Sequence, residues 1–451
     1  MKDLYNMRKF IFGILLTTGF IVTSQEVREL TLEECISVAL EKNIDLRRSR
    51  NNEIIARANR FQSIMNFFPT LTAGINYDYF FGNFFDQNAA RQVSETTNSS
   101  NPNLSSSLTI FNGFSNQYNL KQRINEQKAA EAGVDNAQLN VRANIMTFYL
   151  NAVLSRENLK IAEDRVQLLE KQLDREEKRV SVGVGSLDAV YNLRSQLANE
   201  KLNLITAKNT VATNRLALIQ AMQLDPKDNY DIQPLNISEE QLLVELDPFD
   251  QVLSESLGYS PSIMQAESNR DAAKYSMKGT AADRFPTIAA FGRVGSNYSS
   301  NGARNPETGA FEPDAEFFDQ LEFNQFEYVN FSLNIPIFNR FQTSRDVQMA
   351  KVGVLNADLD YQQARNTVTN IVQQAYLDML NAQTTYHSAK ENLEAQNSTF
   401  EFIKKRFETG NTDFYSYQES LNNKNRAEAQ LINAKYTIVL RKRILDLYRG
   451  K

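Results

Sequence analysis

The sequence predicts a mainly helical chain with a small β part, organised as a tandem repeat of long helical hairpins. Three observations predict it. Short motifs recur in the same order in the two halves of the chain, and proline-free stretches run far beyond an ordinary globular helix. Between these stretches lie short segments in which apolar and polar residues alternate.

The duplication organises everything else. Phe68-Pro69-Thr70-Leu71 recurs as Phe285-Pro286-Thr287-Ile288, 217 residues further on. Ile110-Phe111-Asn112-Gly113-Phe114 recurs as Ile337-Phe338-Asn339-Arg340-Phe341, at an offset of 227. Tyr149-Leu150-Asn151 with Tyr376-Leu377-Asp378, and Arg179 and Gly183 with Arg406 and Gly410, share the second offset. The change of offset puts about ten extra residues in the loop between the second copy's strand candidates, where insertions are tolerated.

Residues 1–24 read as a signal peptide. Lys2, Arg8 and Lys9 precede the apolar run Phe10–Val22, and small residues at Val22-Thr23-Ser24 predict cleavage after Ser24. An uncleaved N-terminal anchor is the alternative, although the run is short of the roughly 20 residues a spanning helix needs. The first repeat, 25–249, is expected to hold a helix at 31–66, strands at about 68–80 and 104–113, helices at 115–181 and 187–222, and an irregular linker at 223–249 punctuated by Pro226, Pro234 and Pro248. The second, 250–451, repeats the order: helix 250–283, strands at about 285–298 and 327–338, helices 341–408 and 414–449.

No proline occurs between Pro102 and Pro226 or after Pro336. Ser115–Arg179 as one helix would span about 98 Å at 1.5 Å per residue. Along the second long helix, Tyr361, Ala364, Val368, Ile371, Ala375, Met379, Ala382, Tyr386, Ala389 and Leu393 read as a coiled-coil seam with one irregular step at Ala375. The leading and return helices are about half as long, so two of them stacked end to end would match one long helix.

The strand candidates have period two. Leu71, Ala73, Ile75, Tyr77 and Tyr79 alternate with Thr70, Thr72, Gly74, Asn76 and Asp78, and Val329, Phe331, Leu333, Ile335 and Ile337 alternate with Asn330, Ser332, Asn334 and Pro336. That pattern fits a lipid-facing barrel strand with a watery inner side. It fits a half-buried strand of a soluble sheet equally well, and alternation alone does not separate the two. The polar stretches Gly82–Pro102 and Ser299–Asn324 suit the outer loops of a barrel, and Tyr79, Phe80, Phe81, Phe84, Phe85, Tyr298, Phe326 and Tyr328 near them suit an interfacial girdle.

The inventory of reactive groups is thin. One Cys, one His and no Trp accompany a net charge of −5, with basic residues dispersed among acidic ones. There is no electrostatic footprint for nucleic acid, no Cys/His zinc set and no intrachain disulfide. No cofactor or metal is expected, and no catalytic constellation. His387 beside the seam reads as a solvated or interface residue. Three classes compete: an outer-membrane channel, a soluble periplasmic coiled-coil adaptor or scaffold, and a hydrolase using paired carboxylates, the last with least support.

Taken in order and at matched spacing, the repeat, the Phe-Pro-Thr strand entries, the Ile-Phe-Asn strand exits and the tips Arg179-Val-Ser-Val-Gly183 and Arg406-Phe-Glu-Thr-Gly410 resemble the TolC-like outer membrane factor family over essentially the whole mature chain. The resemblance implies a homotrimer whose helices form a trimeric α-barrel in the periplasm. Four strands per protomer would contribute to one β-barrel shared in the outer membrane of a Gram-negative bacterium, with 223–249 in an equatorial belt. It implies an export channel of a tripartite efflux or type I secretion system, joined by a periplasmic adaptor to an inner-membrane pump. The adaptor would meet the tips, here Val182, Gly183, Val184, Gly185, Ser186 and Leu187, and Gly410, Asn411, Thr412, Asp413 and Phe414; a turn-only role for the glycines is the alternative. Family carboxylate rings beyond the second tip map onto Ser416 and Glu419, of which only Glu419 keeps its charge. Asp188 and Asp413 stand close enough in sequence to complete a constriction, or all three are solvated helix-end acids. The family's tyrosine and arginine lock falls on Phe407 and Thr412, so it does not carry over.

Overall fold

The structure, a computed structural model, describes residues 28–86, 90–93, 96–226, 230–234, 237–238, 242, 245–305 and 307–451. The predicted cleavage after Ser24 and parts of the 223–249 linker lie outside the described residues. In chain order the elements are β1 (Arg28–Leu30), α1 (Leu32–Lys42), α2 (Ile44–Met65), β2 (Thr70–Gly74), β3 (Tyr77–Phe80), β4 (Phe84–Asp86), β5 (Arg91–Val93), β6 (Thr97–Ser100), β7 (Asn103–Asn112), α3 (Ser115–Ser181) and α4 (Leu187–Ala221). They continue with β8 (Tyr230–Ile232), α5 (Phe249–Tyr259), α6 (Pro261–Ala282), β9 (Thr287–Gly295), β10 (Tyr298–Ser299), β11 (Ala303–Arg304), β12 (Phe311–Glu312), α7 (Phe317–Phe323), β13 (Phe326–Asn334), α8 (Gln342–Glu408) and α9 (Phe414–Tyr448).

Equivalent helices have equal lengths: 11 residues in α1 and α5, 22 in α2 and α6, 67 in α3 and α8, and 35 in α4 and α9. The leading helix of each copy, expected to be continuous, is broken. Ser260 takes an extended ψ of 116° because Pro261 disfavours a helical conformation in the residue before it. Asn43 takes ψ of 125° with no proline to impose it, at a residue type that competes poorly inside helices. A capping box starts α1: Glu34 N donates to Thr31 Oγ1 at 3.2 Å, and Thr31 N to Glu34 Oε2 at 2.8 Å.

The chain divides into two compact units, each drawing on both repeats. The first comprises residues 1–43, 140–246 and 377–445. Its core gathers Leu30, Cys35, Ile145, Tyr149, Leu218, Met222, Ile232 and Leu440. The linker is less irregular than expected, because β8 pairs in parallel with β1 and is fixed by side chains: the Tyr149 hydroxyl donates to Gln233 O at 2.6 Å, and Arg156 pairs with Asp231 at 3.2 Å. Burial pushes the Cys35 thiol up to about 12, which leaves it protonated and inert.

In α8 between 368 and 389 the buried positions are Val368, Val372, Ala375, Met379, Ala382, Tyr386 and Ala389, and Phe400 follows further on. Steps of four and three then alternate without interruption. Val372 is 0% exposed and Ile371 is 40% exposed, so the predicted irregular step came from choosing the wrong one of two adjacent β-branched residues. His387 is exposed beside Tyr386.

The second unit comprises 44–139, 247–376 and 446–451. Its main sheet is antiparallel in the order β13-β9-β7-β2. The stretches expected as polar loops are partly folded: β10, β6 and β3 form a second sheet, clamped by buried Gln320 of α7, which accepts from Ser299 N and donates to Ser299 O, both at 2.9 Å. The end of the chain is locked in the same unit. Arg449, its side chain only 8% exposed, pairs with Asp247 and with Glu255 (2.8 Å), and Lys451 reaches Glu255 at 3.0 Å.

Hydrogen bonds from Arg449 and Lys451 hold Glu255 well below the ordinary carboxylate range, at about 2. A depressed carboxylate stabilises the fold above its unfolded value and loses that contribution as pH falls toward the folded value. Hydrogen exchange of the 442–451 segment, corrected for intrinsic rates, is therefore expected to stay protected above about pH 4.5 and to lose protection between there and about pH 2. Arg449→Gln should show the loosened state already at neutral pH. A flat profile in the native chain contradicts the lock.

Candidate functional site

Two features project chemistry outward: the four-stranded sheet and the two helix-hairpin tips. Register sorts the sheet residues by face, because residues directly opposite one another on neighbouring strands share a side. Val329, Phe331 and Leu333 of β13 stand opposite Gly292, Ala290 and Ile288 of β9; these face Ser106, Leu108 and Phe111 of β7, and Leu71 and Ala73 of β2 face Ser106 and Leu104. This side is apolar apart from Ser106 and, at one end of β13, Glu327 opposite Val294, yet Leu71, Val329 and Phe331 are each at least 70% exposed in the single chain. The other side carries Thr70 and Thr72, Ser105, Ser107 and Thr109, Arg293, and Asn330, Ser332 and Asn334. Neither edge strand, β2 nor β13, has a partner on its outer side among the described residues.

The girdle expectation needs a correction. Phe326 and Tyr328 pair with Gly295 and Arg293, which places both on the polar side. Tyr298 belongs to the second sheet and packs on Phe317 at 4.9 Å. Tyr79 and Phe81 are exposed.

The two tips share one backbone design. After α3, Val184 N donates to Arg179 O and Gly183 N to Val180 O, both at 3.0 Å. After α8, Asn411 N donates to Arg406 O at 2.8 Å and Gly410 N to Phe407 O at 3.0 Å. Both are Schellman motifs, in which a left-handed residue lets the last carbonyls be satisfied. Gly183 has φ of +79° and Gly410 +75°, with open space where a Cβ would stand. Glycine is required at both by backbone strain, not by crowding.

The side chains around the tips differ. At the first, Glu176 is only 7% exposed and occupies a seam position in the series Ala162, Val166, Leu169, Leu173, Glu176, Val180. Its carboxylate pairs with Arg179 at 3.2 Å and accepts from Ser186 N at 3.4 Å, so it caps α4 from across the turn. At the second tip Asp413 does this locally, accepting from Ser416 N at 2.7 Å and from Ser416 Oγ at 3.1 Å. Those bonds hold the Asp413 carboxyl below its ordinary pKa. Phe407 stacks on Tyr417 at 4.9 Å and meets Phe414 at 6.0 Å, which makes it a packing residue. Sequence reasoning missed Glu176; the signal was a charge at a seam position.

Of the predicted site residues, Val182 and Val184 are the most exposed apolar pair, at 72% and 70%, and Leu187 is exposed beside them. Thr412 and Phe414 are half-buried and Asn411 is exposed. Asp188 lies in the first turn of α4 and accepts from Asn192 at 3.2 Å. Asp188, Asp413 and Glu419 are exposed. Among the described residues, no three His, Cys, Asp or Glu side chains are placed to hold a metal, and no helix is long and apolar enough to cross a membrane.

The chain thus carries a sheet with one exposed apolar face and long helical hairpins. The chain belongs to the outer membrane efflux protein family, whose model matches residues 35–222 and 252–450. That membership places it in the outer membrane of a Gram-negative bacterium. It is 20% identical over 298 residues to the outer membrane protein TolC of Escherichia coli (strain K12), a match covering 66% of this chain and 58% of that protein, little more than half its length. Its fold is similar to the CmeC outer membrane channel of Campylobacter jejuni, with a TM-score of 0.77, 18% identity and coverage of 93% of this chain and 85% of that one. It is likewise similar to the outer membrane protein VceC of Vibrio cholerae, with a TM-score of 0.76, 15% identity and coverage of 93% and 96%. Neither family nor fold similarity lends support to the soluble adaptor alternative.

Gly410→Ala is expected to cost about 1–2 kcal/mol, the penalty of a left-handed Cβ-bearing residue, and Gly410→Asn less. Glu176→Gln should speed tryptic cleavage after Arg179 and leave cleavage after Arg406 unchanged. Equal acceleration at both tips contradicts a capping role for Glu176.

Proposed function

We propose that three copies of this chain form a passive export conduit through the outer membrane and periplasm, serving a tripartite efflux or type I secretion system. The observation that carries this reading is the sheet: apolar and exposed on one face, polar on the other, unpaired at both edges. Pairing β2 of one copy with β13 of the next closes a barrel with lipid outside and water inside. The helices supply the periplasmic tube, with 223–249 in a belt around it. The chain performs no catalysis and binds no cofactor; an inner-membrane pump drives transport of small molecules or polypeptides.

The tip segments 182–187 and 410–414 dock a periplasmic adaptor, and exposed Val182, Val184 and Leu187 supply apolar contact there. Asp188, Asp413 and Glu419, tripled by symmetry, set a cation-preferring constriction.

Planar-bilayer recording of the detergent-extracted trimer is expected to show discrete, cation-preferring conductance steps. Neutralising Asp188, Asp413 and Glu419 together should weaken that preference, and unchanged selectivity rejects the constriction. A protein that stays soluble without detergent and never inserts rejects the barrel. Val184→Glu leaves the tip backbone intact and should reduce adaptor capture and export at normal trimer levels. Unaltered capture removes this tip from the docking surface.

A further inference from the structure

One row of residues crosses all four strands on the polar face: Tyr328 of β13, Arg293 of β9, Ser105 of β7 and Thr72 of β2. Arg293 is the only charged residue that register places on that face; Glu327, beside Tyr328, alternates to the other side. Among the described residues no carboxylate pairs with Arg293, and its buried Nε donates to no acceptor. The guanidinium lies 5.6 Å from the Phe326 ring centroid, and Phe291 and Tyr328 sit 6.2 Å apart on the same face. A cation held against aromatic surface, with donors left over, is an incomplete set. An unpaired buried donor calls for an explanation, and an absent ligand supplies one.

We propose that this row is an anion-binding station, centred on Arg293, for organic carboxylates or sulfonates that carry an aromatic or apolar body. It rests on the barrel reading, in which the polar face lines the lumen. The planar guanidinium fork matches the two oxygens of such a group. Phe326, Phe291 and Tyr328 offer surface to the body of the ligand, and the Ser105 and Thr72 hydroxyls extend the polar row. Threefold symmetry places three such cations in one lumen, opposite in sign to the acids at the tips. The barrel thereby favours anionic cargo at the step of release.

The test labels a thiol on the polar face and needs no open periplasmic end, because reagents enter from the outer mouth. Asn330→Cys lies two residues along β13 from Tyr328 on that face, and native Cys35 is fully buried and stays silent. In lipid-reconstituted trimers at low salt, a sulfonated methanethiosulfonate reagent should outpace a trimethylammonium one, each rate normalised to a free thiol. Arg293→Gln should lower that ratio about tenfold, within the range by which lumen charge concentrates ions, and Arg293→Lys should keep most of it. Raising salt to about 1 M, where screening acts within about 3 Å, should collapse the ratio in the Arg293 protein itself. Naphthalene-2-sulfonate should protect the thiol only when Arg293 is present. A ratio indifferent to Arg293→Gln and to salt overturns the station. Val329→Cys, on the apolar face, should resist both reagents; labelling as fast as at position 330 overturns the barrel reading, and the station with it.

Discussion

Backbone amides and carbonyls have no partner in hydrocarbon except one another, and each one left unpaired there costs several kcal/mol. That constraint governs the sheet β13-β9-β7-β2. Its ladders satisfy the interior strands and leave the outer edges of β2 and β13 unpaired among the described residues. The first repeat supplies β2 and β7, the second β9 and β13, and the β7–β9 ladder joins them. A single repeat would leave a two-stranded hairpin, which is marginal alone. Duplication therefore completes the membrane element as well as lengthening the helical one.

The return from strand to helix uses one backbone path in both copies. Gly113 and Phe114 have φ of 64° and 68°, and Arg340 and Phe341 have 56° and 59°. Three of these four carry a side chain in a region that disfavours it. A strained turn repeated at the same point in both copies shows that entry into α3 and α8 is held by the sheet and helix it connects. The helices then bury their seams at a spacing of four and three, with Val372 and Glu176 as the informative members. Val372 keeps the register, and Glu176 interrupts an apolar stripe to cap the neighbouring turn.

The tips show one geometry reached by two sets of contacts. Gly183 and Gly410 perform the same reversal, but the second tip encloses Phe407, Phe414 and Tyr417, while the first presents exposed valines and borrows its cap from α3. Identical turns therefore carry different surfaces, one apolar and exposed, the other closed by aromatic packing. The charge pattern is likewise uneven. Near the tips acids alternate with Arg175, Lys178, Arg179, Lys404, Lys405 and Arg406, whereas a lone arginine stands among hydroxyls, amides and aromatic rings on the polar side of the sheet.

The sequence alone determined the repeat, the lengths of the long and return helices and the alternation of the strands, because these depend on local periodicity and on where proline and glycine fall; the breaks of the leading helices at Asn43 and Ser260 appeared only in the structure. It also located the tip glycines, since a left-handed residue leaves few choices of side chain. Tertiary structure decided what periodicity leaves degenerate. Ile371 and Val372 are both β-branched neighbours, and only packing against another helix selects one. Phe326 and Tyr328 look like girdle residues until register pairs them with Gly295 and Arg293 on the polar side. Glu176 looks like one more solvated acid in a charged stretch until the chain turns back and brings the Ser186 amide to it. Each of these depends on a partner distant in sequence or on another strand, and no property of the residue itself encodes that partner.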